Sequence, residues 1–175
     1  MDHENVVVAL LNTRPVVDGV LQDAFADPDE GSRWLREHGG TGTPAELHTV
    51  LRARDLLEDV VRGRAAATSL AEVLQGTHRV PRMGEDALDW QLVVDDDARF
   101  AVGAVLAWDE LRREAPGRLR PCANPDCRLF LLDRGHANRA RWCSMAVCGN
   151  RMKARRHYAR TRASTLPRPD AEAEA

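Results

Sequence analysis

Long apolar runs are missing from this chain of 175 residues. The longest, residues 6–11, is far shorter than the ~20 residues that a helix needs to span a bilayer. The sequence therefore predicts no membrane-spanning helix. The opening MDHEN is acidic where a secretory signal would be basic, and no cleavable apolar stretch follows it. We therefore expect the chain to stay in the cytoplasm.

Cysteine is scarce as well, and the first 121 residues contain none. Thiols stay reduced in the cytoplasm, so we expect no disulfide scaffold. The sequence also lacks a recognisable nucleophile–base pair, an open metal site and a phosphate-binding loop, and for this reason we do not expect an enzyme. With 43% hydrophobic and 30% charged residues, the composition is that of a globular domain with room for one small additional module.

Acidic side chains are nearly absent from residues 118–162, which hold two Asp against 11 Arg and one Lys, a net charge of +10. Residues 1–117 hold 12 Arg against 22 Asp and Glu, a net charge of −10. This contrast predicts an acidic domain over 1–117 and a separate basic module over 118–162. Residues 163–175 have too few apolar side chains to pack, which predicts a disordered tail.

Helical patterns dominate the acidic domain. Apolar residues recur at three- and four-residue spacing over residues 47–61, which predicts an amphipathic helix that begins near Pro44. A second helix is predicted over residues 98–114, with Phe100 and Trp108 on its inner side. The opening segment fits a helix and a strand equally well.

A change of period interrupts these helices at residues 79–94. Inward and outward side chains alternate there, which predicts a half-buried strand of a β-hairpin. The inward set is Leu88, Trp90, Leu92 and Val94, and the outward set is Asp89, Gln91 and Val93. The predicted fold class is therefore α+β, beginning with a mainly helical N-terminal domain with a β-hairpin.

The cysteines form two pairs of equal spacing, Cys-x4-Cys, separated by fifteen residues: Cys122, Cys127, Cys143 and Cys148. Two close pairs joined by a short connector suit tetrahedral Zn²⁺, because each pair comes from one local loop. A redox pair is disfavoured, since thiol–disulfide motifs have two intervening residues. The pattern predicts one Zn²⁺, held by four thiolates, in a structural role that leaves no open coordination position.

The segments around the cysteines indicate one arrangement of secondary structure. Asn124 and Pro125 are typical of a tight turn, so the first two thiolates are predicted on a knuckle. Residues 128–142 predict two short strands about a turn. Ser144 is a predicted N-cap, which places Cys148 near the first turn of a helix. Knuckle, hairpin and ligand-bearing helix follow each other in this order in a treble-clef zinc finger.

The segments RPCANPDCRLFLLDRG and RWCSMAVCGNRMKARRHYAR together resemble the CGNR-type zinc finger, named for the run at residues 148–151. This family often has an aspartate or a similar residue soon after the hairpin phenylalanine, and Asp133 stands three places beyond Phe130. The LLNT run at residues 10–13 is similar to the start of an ABATE domain, which usually precedes this finger. The resemblance implies a bacterial, stress-linked transcription regulator whose treble clef contacts DNA and whose N-terminal domain binds an unidentified small-molecule ligand.

Basic side chains crowd the helix predicted after Cys148. At about 100° per residue, four residues share one stripe that is predicted to face the zinc and the hairpin: Cys148, Met152, Ala159 and Ala163. Two basic rows flank the stripe: Arg151, Arg155 and Arg162 on one edge, and Lys153, Arg156 and Arg160 on the other. These rows predict contacts with phosphates on either side of a nucleic-acid groove.

The sequence leaves several alternatives open. The basic helix could be a solvated face, a surface that docks on an acidic protein, or a binding site for RNA instead of DNA. For a ligand in the N-terminal domain, the candidates near the ends of predicted elements are Asn12, Thr13, Arg14 and Trp90. The sequence does not specify an oligomeric state.

Overall fold

The structure, a computed structural model, describes residues 3–165. Five α-helices lie in this range: α1 (His3–Leu11), α2 (Pro28–Glu37), α3 (Pro44–Val61), α4 (Asp96–Glu114) and α5 (Asn150–Thr165). Six short strands form three antiparallel pairs: β1 (Val16–Val17) with β2 (Val20–Leu21), β3 (His78–Met83) with β4 (Leu88–Val93), and β5 (Leu119–Pro121) with β6 (Phe130–Leu132). The α+β fold class is confirmed.

The two ends of the described range bear on two of the sequence predictions. Residues 166–175, most of the predicted disordered tail, lie outside the described residues, whereas residues 163–165 form the last turn of α5. No helix within residues 3–165 combines the length and the apolar character that a bilayer-spanning segment needs.

The main core lies where α1 and α3 pack on α4. The opening segment is a helix because Val7, Leu10 and Leu11 fall on one helical face and are buried there. Phe100 and Trp108 of α4 are buried as predicted. Helix α3 begins at Pro44 after Thr43, whose hydroxyl accepts a hydrogen bond from the Glu46 amide at 3.1 Å.

A charged side chain occupies the inner face of α3. Arg54 is 1% exposed, and its guanidinium donates to both carboxylate oxygens of Asp23 at 2.7 and 2.9 Å and to the Thr13 hydroxyl at 2.8 Å. Arg14 donates to the same carboxylate at 2.8 Å. Burial opposes ionisation of Asp23, but the hydrogen bonds from Arg54, Arg14 and the Phe25 amide outweigh it and lower its pKa to about 2.

Replacing Asp23 with asparagine is expected to lower the free energy of unfolding by about 2 kcal/mol at neutral pH, because the pKa lies below its ordinary value of 3.8. A lowered folded-state pKa stabilises above the unfolded-state pKa, so this contribution is lost as pH falls from about 4 to about 2. Urea unfolding of the parent and D23N at several pH values measures the difference. A difference that is still undiminished at about pH 3 would contradict the prediction.

The β3–β4 hairpin is present, but the prediction of a half-buried strand is wrong for most of its length. Residues 81–91 are all exposed, and of the predicted inward side chains Leu92 and Val94, at the base of the hairpin, are partly buried. The alternating pattern therefore marks an apolar face, and within the described residues no helix or strand covers that face beyond the base.

The finger contains a hairpin with a different partner from the predicted one. Strand β6 pairs with β5, which precedes the first cysteine, with Leu119 opposite Leu132 and Pro121 opposite Phe130. Residues 133–142 do not form the predicted second strand. Their backbone is held by Asp133 instead, whose carboxylate accepts from the Ala140 and Gly135 amides at 2.7 and 2.8 Å.

Arg120 completes this arrangement from β5. It pairs with Asp133 at 2.7 Å and donates to the Ala140 carbonyl at 2.6 Å. The two backbone amides and Arg120 hold the pKa of the Asp133 carboxyl below its ordinary value. The loop between β6 and Cys143 is therefore organised around one buried carboxylate, and it needs no strand ladder.

Candidate metal centre and basic helix

The four cysteine sulfurs converge on one point. All lie within 4.8 Å of one another, and Cys143 Sγ is 3.7 Å from both Cys127 Sγ and Cys148 Sγ. Tetrahedral Zn²⁺ with Zn–S bonds of about 2.3 Å requires sulfurs about 3.8 Å apart. Cys122 and Cys148 are buried, and the other two are partly exposed. Donor type, number and spacing all fit one Zn²⁺.

Backbone and amide groups fix the positions of the sulfurs. The Cys122 amide donates to the Leu129 carbonyl at 2.8 Å, and the Cys143 amide approaches Cys122 Sγ at 3.5 Å. Asn124, which is 1% exposed, donates from Nδ2 to Cys148 Sγ at 3.5 Å. From the sequence, Asn124 was expected only to form a turn. Its burial beside a sulfur gives it a second role, as a donor to a metal ligand.

The pKa values of cysteine thiols in this cluster are shifted in different directions. Burial raises the pKa of the Cys127 thiol to about 11, and burial together with the neighbouring thiols raises that of Cys143 further. Burial also opposes ionisation of Cys148, but hydrogen bonds from Asn124 and the other thiols lower its pKa. A bound dication would offset the desolvation of all four thiolates, because a coordinating thiol loses its proton.

The second cysteine pair sits at the entry to α5. Ser144 caps this entry, and its hydroxyl accepts from the Val147 amide at 3.3 Å, as predicted. One turn of π-helix, Met145–Gly149, carries Cys148 and leads directly into α5. A Cβ at Gly149 would lie 2.8 Å from the Met145 sulfur and 3.2 Å from the Trp142 ring, so this turn packs too closely for a side chain there.

Helix α5 has little contact with the finger beyond its first turn. Met152 is partly buried, but residues 153–162 are all exposed. The prediction that one stripe faces the zinc and the hairpin is therefore wrong at Ala159, and nothing is described of the Ala163 side chain. Since α5 rises about 1.5 Å per residue, most of its length projects from the metal centre as a basic arm.

The six predicted nucleic-acid-binding residues are not equivalent. Arg155 pairs with Asp126 of the knuckle, which partly neutralises it. Among the described residues, the other five form no ion pair: Arg151, Lys153, Arg156, Arg160 and Arg162. Tyr158 on the same arm is 69% exposed. The assignment of all six to nucleic-acid binding stays a prediction.

Asn12 joins the N-terminal domain to the finger. Its carbonyl oxygen accepts from the Phe130 amide at 2.7 Å, and its amide nitrogen donates to the Phe130 carbonyl at 3.2 Å. The side chain thus pairs with the edge of β6 that β5 leaves free. The Phe130 ring is 2% exposed and belongs to the main core.

A buried carboxylate forms a second junction. Glu58 of α3 is 4% exposed and pairs with Arg128 of the finger at 2.8 Å and with Arg62 at 3.1 Å. Arg62 also donates to the Arg128 carbonyl, and its guanidinium lies 4.4 Å from the centre of the Phe130 ring. Burial opposes ionisation of Glu58, but the hydrogen bonds from Arg128 and Arg62 lower its pKa.

Two family models match the regions joined by these contacts. The CGNR zinc finger model matches residues 118–161, which include all four cysteines and most of α5. The ABATE model, described as "Putative stress-induced transcription regulator", matches residues 4–130, well over half of the chain. The chain belongs to the ABATE family. No curated protein matches it.

The ABATE match runs past the boundary predicted at residue 117 and ends at Phe130, the residue held by Asn12. The boundary at 117 stays a prediction. Phe130 lies within the segment that the finger model matches, but its side chain packs in the core of the N-terminal domain.

The four predicted ligand residues of the ABATE domain have different partners in the structure. Asn12 binds Phe130, Thr13 binds Arg54 and the Leu10 carbonyl, and Arg14 pairs with Asp23 and Asp55. Trp90 lies apart from them on β4, where it is 56% exposed. Asn12 and Thr13 also line a cleft of about 400 Å³ together with Asp23 and Trp34. The ligand role of all four residues stays a prediction.

Replacing Asn12 with alanine is expected to lower the free energy of unfolding by about 1–3 kcal/mol, because both backbone groups of Phe130 lose their partner. Amide exchange at Phe130 should accelerate, which hydrogen–deuterium exchange measures. Gln22→Ala is the matched control, since Gln22 is exposed and its removal should change stability by less than about 0.5 kcal/mol. Equal stability and equal exchange in N12A and the parent would show that the contact is unimportant.

Proposed function

We propose that this ABATE protein regulates transcription by binding duplex DNA through α5, with one structural Zn²⁺ in a treble-clef finger. The observation that carries the proposal is the basic arm itself. It presents exposed cations, five of them unpaired among the described residues, and residues 134–165 contain no acidic side chain to balance them. An ordinary solvated helix mixes both signs for pairing.

The metal centre would supply the anchor for this arm. Four thiolates fill a tetrahedral shell, so Zn²⁺ bound there has no position for water or substrate and serves a structural role. Cys148 would fix the first turn of α5 to the finger. A small module of this kind has little core of its own, and metal binding would provide much of its folding free energy.

The spacing of the cations suits a nucleic-acid groove. On a helix of about 100° per residue, Lys153, Arg156 and Arg160 lie within about 60° of one another, and Arg151 and Arg162 form a second row. An α-helix fits the major groove of B-DNA, where such rows reach the phosphates on both sides. Arg155 would contribute less, because Asp126 already pairs with it.

Binding to labelled duplex DNA, single-stranded RNA and heparin, measured by fluorescence anisotropy at several salt concentrations, tests the proposal. Contact with about four to six phosphates predicts a log–log salt slope of about −4 to −5 for duplex DNA. Tighter binding of RNA than of duplex DNA would favour an RNA-binding protein. Failure to bind any of the three would indicate an acidic protein partner or a solvated face.

We further propose that the protein acts in the cytoplasm, without an enzymatic activity, and that its N-terminal domain senses a small molecule. The cleft lined by Asn12 and Thr13 supports this sensing role, because these residues also contact Phe130 and Arg54. A ligand there would act on the groups that hold the finger. Thermal shift of the parent against a metabolite panel, repeated with T13V, tests the site.

A further inference from the structure

The β3–β4 hairpin exposes an apolar face that plays no part in the proposed function. Met83, Leu88 and Trp90 are 81%, 53% and 56% exposed. Because side chains alternate along a strand and Met83 stands opposite Leu88, these residues lie on one face together with Pro81 and Leu92. The opposite face carries polar groups such as Arg82, Asp89 and Gln91. The hairpin is thus amphipathic, with its apolar side in solvent.

Both edges of this hairpin are poor templates for strand addition. The Gly84 amide donates to the Ala87 carbonyl at 2.9 Å, so the alternation of antiparallel pairs makes Pro81 and Trp90 a non-hydrogen-bonded pair. The N–H groups of such a pair point outward, but Pro81 has none, and the Trp90 amide donates to Asp89 Oδ1 at 2.8 Å. A partner is therefore expected on the face and not at an edge.

Charge along the apolar face has opposite signs at its two ends. Arg79 stands at the base of β3, whereas Glu85 and Asp86 form the turn at the tip, and the apolar residues lie between them. A two-fold axis near residue 82 would place Arg79 of each copy opposite Glu85 of the other. The same axis would set Trp90 of each copy over Leu88 of the other, and Pro81 over Met83. The face is complementary to itself, as an isologous interface requires.

We propose that this face binds a second copy of the chain, with the two hairpins packed face to face and antiparallel. The six residue steps from Arg79 to Glu85 span about 20 Å of extended chain, which gives room for the apolar pairs between the two charged ends. The exposed side chains of Met83, Leu88 and Trp90 offer roughly 400 Å² per copy. Burying them in both copies gives about 800 Å², the size of a weak, reversible dimer.

Sedimentation velocity of the zinc-loaded full chain, from about 1 to 200 µM and without nucleic acid, tests the proposal. The parent is expected to shift from monomer to dimer across this range. Trp90→Ser should weaken the dimer at least about tenfold, since buried aromatic anchors dominate such interfaces. Gln91→Ser, on the opposite face of the same strand, should leave it unchanged. Far-UV circular dichroism checks that each variant is folded.

A charge exchange then tests the orientation. Arg79→Glu and the pair Glu85→Arg with Asp86→Arg should each weaken the dimer, and all three changes together should restore it. A parent that stays monomeric at the highest concentration would overturn the proposal, and so would a dimer that W90S leaves intact. Failure of the triple variant to recover would overturn the antiparallel arrangement. Because no DNA is present, these outcomes are independent of the proposed DNA binding.

Discussion

Replacing Cys148 with serine is expected to abolish stoichiometric zinc binding and to unfold the finger. Serine offers a hard oxygen where Zn²⁺ prefers a thiolate, and the remaining sulfurs would leave the tetrahedral shell incomplete. The free energy that structural zinc contributes to finger peptides is on the order of 10 kcal/mol. Helices α1 to α4 should keep most of their far-UV signal, but with a lower melting temperature, since Phe130 leaves their core.

Elemental analysis of freshly purified, reduced protein measures the metal, and circular dichroism follows the two parts of the fold. The parent should contain one zinc per chain. His136→Ala is the matched control, because His136 is exposed and lies outside the four-cysteine cluster. It should retain full zinc content. A parent without zinc, or a C148S variant with the full amount, would refute the structural zinc site.

Reversing two charges on the basic arm, with Arg156→Glu and Arg160→Glu together, is expected to weaken duplex DNA binding broadly across sequences. Two lost phosphate contacts should reduce the magnitude of the salt slope by about 2, and the two new carboxylates would add repulsion. Both side chains are exposed, so stability should change little. Fluorescence anisotropy over a salt series measures both affinity and slope.

The control changes net charge by the same amount elsewhere. Arg112 and Arg113 at the end of α4 are exposed and pair with nearby Asp109. Their reversal should leave the slope unchanged if α5 is the binding surface. Arg155→Ala should weaken binding less than Arg156→Ala, because Arg155 already has a carboxylate partner. Equal losses for the α4 and α5 pairs would mean that only net charge matters.

The metal centre could be predicted from the sequence because the features that form it depend on residues that are close together in the chain. Two identical cysteine spacings, a turn between Cys122 and Cys127 and a cap at Ser144 each follow from neighbouring residues. Helices α3 and α4 were predictable for the same reason, since burial of Phe100 and Trp108 follows from helical period. Helix α1 was left open between helix and strand, and α2 was not predicted.

Pairings across the chain were not predictable in this way. Strand β6 finds its partner in β5, upstream of the knuckle, because Asp133 and Arg120 hold the loop after β6, where the second strand was predicted, in another conformation. Periodicity places Trp90 and Ala159 on apolar faces, but it does not reveal whether another element covers those faces, and in the structure both side chains are exposed. Asn12 was singled out as a ligand candidate, and its contact with Phe130 depends on a separation of 118 residues.

The position of Phe130 limits how far the finger can be treated as an interchangeable part. Its backbone follows the second cysteine and its ring fills the core of the preceding domain. A finger transplanted onto an unrelated domain would expose the large apolar ring of Phe130 to solvent. The N-terminal domain left behind would contain a cavity where that ring was packed. The two units are therefore expected to be exchanged, inherited or engineered as a single piece.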